Sequence, residues 1–103
     1  ATALMMLGDK VTAEEAEELG MIFKVISSEN FNEEVEKLAI KLANMPTKAL
    51  GFIKELLNKS ITNTLEEQLE LEGKLQIEAA QSEDYSEGVN AFMEKRKPIF
   101  KGK

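Results

Sequence analysis

The 103-residue chain is predicted to be all-α, with five to six helices and at most one short strand. Three observations carry that prediction. Two hydroxyl-to-carboxylate spacings, Thr12 to Glu15 and Thr64 to Glu67, have the three-residue step of a capping box at a helix start. Val35, Leu38, Ala39 and Leu42 fall at i, i+3, i+4 and i+7, one face of an amphipathic helix. Only Ile22, Phe23, Val25 and Ile26 combine β-branched and aromatic residues in a run too short for a helix.

In chain order, Ala1 to Leu7 is apolar without a start signal and reads as the end of a helix that begins upstream. Gly8-Asp9 breaks it. Thr12 opens a short helix to about Leu19, and Gly20 stands where a left-handed C-terminal cap belongs. Residues 22–26 are expected to form one short strand or extended segment. The helix through Val35 and Leu42 should end near Asn44, and Pro46 suits the first turn of the next helix, where its missing N–H is not needed. Ala49, Leu50, Ile53, Leu56 and Leu57 give that helix its apolar stripe, and 58–63 close it. Thr64 opens the longest helix, to about Gln81. Its apolar positions, Leu65, Leu69, Leu71, Leu75, Ile77 and Ala79, spread too widely for one narrow stripe, so it is expected to pack on two sets of neighbours. Ser82 caps a last helix, Glu83 and Asp84 complement its N-terminal dipole, and Pro98 ends it.

Composition bounds the function classes. A hydrophobic share of 43% is too high for intrinsic disorder, and the length fits one small domain. No apolar run approaches the roughly 20 residues that span a bilayer, so no membrane partner is expected. Cysteine is absent, which removes disulfides and thiolate metal sites and suits a cytoplasmic location. Residues 1–94 hold eight lysines against all nineteen acids, a net of −11, while 95–103 hold five cations and no acid. An acidic body with so thin a basic footprint argues against nucleic acid and fits a small polyphosphate better.

Histidine is also absent, which excludes Ser-His and Cys-His nucleophiles and HExxH zinc sites. The six glycines never fall into phosphate-loop spacing. Glu66, Glu67, Glu70 and Glu78 read as a solvated face, with Glu70 and Lys74 as an i, i+4 pair, because no metal-ligand type accompanies them. Neither a metal nor a catalytic residue is assigned. Val89 and Met93 read as core, with Gly88 a helix-interior glycine tolerated for a close backbone approach.

Two motifs go further. The run from Ser82 to Phe100, with Gly88, Ala91-Phe92 and Glu94-Lys95-Arg96, resembles the C-terminus of the crotonase family, the enoyl-CoA hydratases and isomerases. Leu7-Gly8-Asp9-Lys10-Val11-Thr12-Ala13-Glu14-Glu15-Ala16, followed by Leu19-Gly20-Met21-Ile22, is similar to a second stretch of that family. Leu7, where threonine is common, and Phe23, where a small or polar residue is common, depart from the pattern and leave the subfamily open.

The resemblance implies that residues 1–103 are the C-terminal helical domain of a crotonase-like fold, with the catalytic spiral domain and its acid/base carboxylates upstream. It implies an acyl-CoA thioester as substrate, with coenzyme A present only as part of that substrate and no separate cofactor. Hydration of 2-enoyl-CoA is the first expectation for the parent and isomerisation of a phenylacetyl-CoA derivative the second. A stand-alone helical interaction module is the alternative from another class. The motif places Phe92 beside the bound acyl group and Lys95 at the CoA phosphates. The region itself is expected to build a trimer-type or helix-swapped assembly, to close over the acyl-CoA and to be inactive alone.

Overall fold

A computed structural model describes residues 1–103 as six helices without a strand. Its contacts divide the chain into two compact units, Ala1–Glu36 and Lys37–Lys103.

In the first unit, α1 (Thr2–Leu7) ends at Gly8, whose N–H donates to the Leu4 carbonyl at 3.1 Å. α2 (Ala13–Glu18) begins with the predicted capping box. The Glu15 N–H donates to the Thr12 hydroxyl at 3.2 Å, and the Thr12 N–H returns to Glu15 Oε2 at 2.8 Å. Donation from the Thr12 backbone is the main reason that the Glu15 carboxyl lies below its ordinary pKa. At the other end Gly20 has φ 69°, and the N–H groups of Gly20 and Met21 donate to Glu17 and Ala16. That pair of bonds needs a left-handed residue between them, which glycine supplies without a Cβ clash.

The segment predicted as extended forms no ladder. The Val25 N–H donates to Glu17 Oε2 at 2.9 Å, a side-chain partner in place of a neighbouring strand. Lys24 Nζ bonds Glu34 Oε2 at 2.9 Å.

α3 (Phe31–Ala43) begins before the division between the units and ends after it. It closes where Asn44 sends both its backbone N–H and its side-chain Nδ2 to the Ile40 carbonyl.

The second unit also holds α4 (Thr47–Lys59), α5 (Leu65–Ala80) and α6 (Glu83–Met93). Pro46 is the N-cap of α4, one place earlier than the first-turn position expected of it. The second predicted capping box opens α5, with Glu67 Oε2 accepting the Thr64 N–H at 2.8 Å. Gln68 then ties α5 to α4: its Nε2 donates to the Leu56 carbonyl at 3.4 Å, and its Oε1 accepts from Asn63 at 3.1 Å. Ser82 caps α6 by accepting the Tyr85 N–H at 3.1 Å.

α5 packs against both α4 and α6, in line with its wide apolar distribution. The core there is small. Leu75 and Ala91 are the buried apolar residues, whereas Leu65, Leu69 and Ile77 of the same helix remain exposed. No helix is long and apolar enough to cross a membrane.

Candidate functional site

An apolar groove of about 390 Å³ lies in the second unit. Pro46 and Ala49 form it from the α4 end, Ala79 from α5, Val89 and Phe92 from α6, and Phe100 from the tail. Phe92 contributes to the wall while 81% exposed, an unusual state for a phenylalanine, so most of its ring surface is uncovered. Met93, expected in the core, is 75% exposed, and Val89 is 46% exposed. Gly88 faces the Phe100 ring, but a Cβ placed on it would meet that ring at 3.7 Å, an ordinary contact. Close approach therefore does not require glycine there.

Lys95 stands just past the helix that carries Phe92. α6 stops at Met93 rather than at Pro98, because Lys95 turns left-handed with φ 55°. The Lys95 N–H donates to the Phe92 carbonyl at 3.2 Å, and the Arg96 N–H donates to the Ala91 carbonyl at 3.0 Å. This double closure normally takes glycine at the left-handed position, and a lysine in that conformation is strained.

The basic terminal run, in which charge alone does not separate one cation from the next, is anchored to α6 at three levels. Arg96 Nη1 and Nη2 meet Glu87 Oε1 and Oε2 at 2.6 and 2.9 Å, and its Nε meets Glu94 Oε2 at 2.5 Å. The Ile99 N–H donates to Glu87 Oε1 at 2.8 Å. The N–H groups of Lys101 and Gly102 donate to Asp84 Oδ1 and Oδ2 at 2.6 and 2.8 Å. The Arg96 fork, followed by the Ile99 N–H, brings the Glu87 carboxyl down to about 2, and the two carboxylates hold the Arg96 guanidinium more firmly protonated.

The pairing of Glu87 with Arg96, and of Asp84 with the Lys101 and Gly102 N–H groups, is not visible in the sequence, where Asp84 reads only as a partner of the helix dipole. The only local signal of the first pairing is a carboxylate on α6 and an arginine nine residues later.

The groove provides shape and apolar contact. Asp84 borders the groove, but both of its oxygens accept backbone N–H groups. Glu66, Glu70 and Glu78 are exposed on α5, and Glu67 serves the helix cap. No group of three or more potential ligands is placed to hold a metal ion.

A family model described as enoyl-CoA hydratase/isomerase matches residues 1–103. The chain belongs to that family. The 1,2-epoxyphenylacetyl-CoA isomerase of Escherichia coli (strain K12) is 47% identical over 103 residues, which are all of this chain and 39% of that protein. The 2,3-dehydroadipyl-CoA hydratase of the same organism is 34% identical over 103 residues, again all of this chain and 40% of that protein. Among solved structures, enoyl-CoA hydratase subunit I from Geobacillus kaustophilus HTA426 superposes with a TM-score of 0.85 at 43% identity, covering 94% of this chain and 38% of that one.

The six-helix architecture accordingly matches the helical C-terminal domain of a crotonase fold. The chain spans about two fifths of the length of the enoyl-CoA hydratase/isomerase relatives it matches.

Proposed function

We propose that these residues form the C-terminal helical region of a longer crotonase-family enzyme acting on acyl-CoA thioesters, where they serve subunit assembly and closure of the acyl-CoA site. The match over all 103 residues to proteins named for CoA-thioester chemistry carries this reading. It also weighs against a stand-alone helical module. In the proposal Phe92 lies against the acyl group and Lys95 meets the phosphates of coenzyme A, which is present as part of the substrate. The oxyanion hole and acid/base carboxylates belong to the remainder of the enzyme, so the 103-residue chain alone turns over no crotonyl-CoA. No separate cofactor is used, and the location is cytoplasmic.

The chemistry of the parent is an isomerisation by preference. Hydration of 2-enoyl-CoA is the first expectation from the sequence, but 47% identity to an epoxyphenylacetyl-CoA isomerase exceeds the 34–39% to relatives named hydratases and the 43% to a solved structure titled as one, and so favours the second. Hydration remains the second reading. Assays of the full-length enzyme with 1,2-epoxyphenylacetyl-CoA and crotonyl-CoA test both. A kcat/KM far higher for the epoxide supports isomerisation, preference for crotonyl-CoA restores hydration, and no turnover of either overturns the acyl-CoA assignment.

A further inference from the structure

Lys95 is the one non-glycine residue of the chain with positive φ. Such a conformation persists where surrounding contacts over-determine it. Here the contacts are identifiable. The residues on either side of Lys95 are joined to each other through Arg96 Nε and Glu94 Oε2, and Arg96 is fastened to the body of α6 by two bonds to Glu87. The same Glu87 carboxylate takes the Ile99 N–H, which fixes the chain beyond the turn. The backbone of Lys95 is therefore bracketed before and after by groups that converge on one carboxylate eight residues earlier.

An arginine gripping a carboxylate with two nitrogens fixes direction as well as distance, which a single point contact does not. We propose that Glu87 is a positioning residue for CoA-phosphate binding: acting through Arg96, it holds Lys95 in the left-handed turn from which its ammonium reaches the phosphates. The inference rests on the reading of Lys95 as a phosphate contact. Glu87 itself touches no substrate. Its service is to remove the disorder that a free C-terminal lysine would otherwise have to lose on binding.

The test uses the full-length enzyme with two thioesters of the same acyl group, one on coenzyme A and one on pantetheine, which lacks the nucleotide phosphates. Glu87→Gln raises KM for the CoA thioester about three- to fivefold, the scale of a partly solvated charge contact, and leaves kcat and the pantetheine KM unchanged. Arg96→Lys, which keeps the charge and loses the fork, gives the same pattern. In a Lys95→Ala background Glu87→Gln adds nothing. If Lys95→Ala raises the CoA KM and Glu87→Gln does not, the positioning role is overturned and the phosphate contact stands. If Lys95→Ala itself changes nothing, the phosphate contact is overturned and the positioning role falls with it. An equal KM rise for both thioesters, or additivity with Lys95→Ala, shows that Glu87 acts by another route and also overturns the proposal.

Discussion

Asp84 Oδ2 accepts the N–H of Gly102 at 2.8 Å, so the first turn of α6 and the end of the chain are joined across eighteen residues. Asp84 is only 3% exposed, and its other oxygen takes the Lys101 N–H. A buried carboxylate satisfied by two amide donors loses much when truncated, since the donors are left without a partner. Asp84→Ala is expected to destabilise the chain by about 2–3 kcal/mol. Denaturant unfolding measures the loss, and faster amide exchange at Lys101 and Gly102 locates it.

Two glycines should respond to alanine with opposite signs. At Gly102 φ is +73° and a Cβ would lie 2.4 Å from Thr47 Oγ1, so Gly102→Ala costs about 1–2 kcal/mol and loosens the tail. At Gly88, inside α6, the added Cβ meets Phe100 at 3.7 Å without overlap. Gly88→Ala should stabilise by up to about 1 kcal/mol through helix propensity. Thermal melts of both variants settle the signs.

The Glu87 carboxyl is lowered from 4.5 to about 2, chiefly by Arg96. A group depressed in the folded state adds stability above its unfolded value and loses it as pH falls toward its folded value. Protection of the Ile99 amide should therefore hold above pH 4.5 and decline between 4.5 and about 2. Glu87→Gln should remove that dependence, and hydrogen exchange against pH reads it directly.

How far the sequence reached follows from the range of each interaction. Thr12 and Glu15, or Thr64 and Glu67, lie three residues apart, and both capping boxes appear where the spacing puts them. The asymmetric left-handed stop at Gly20 is equally local. The end of α6 lies at Met93 and not at the proline that the sequence offers as a stop, because Lys95 takes the left-handed turn with support from Glu87 and Arg96, nine residues apart. The anchoring of Lys101 and Gly102 on Asp84 spans seventeen and eighteen residues and has no periodic signature. Residues 22–26 have strand composition but no partner strand, and composition alone does not supply one. The motif singles out Phe92, which lines the groove, and Lys95, which is not among the lining residues, but it does not show the carboxylates that hold the segment around them.

Association is expected of the isolated chain. Met5, Ile61 and Phe92 are 84, 84 and 81% exposed, and Phe23 is 83% exposed, a load of uncovered apolar surface that water disfavours. Light scattering should give a mass above 11.5 kDa that grows with concentration. A monomer at high concentration would contradict this.

The division of labour between Phe92 and Lys95 is the central claim, and steady-state kinetics of the two alanine variants in the full-length enzyme test it most directly. Phosphate contacts bind ground and transition states alike, so Lys95→Ala should raise KM for the acyl-CoA severalfold with kcat unchanged. Phe92→Ala should lower kcat as well, because it loosens closure over the acyl group. An unchanged KM for Lys95→Ala together with an unchanged kcat for Phe92→Ala would contradict the account.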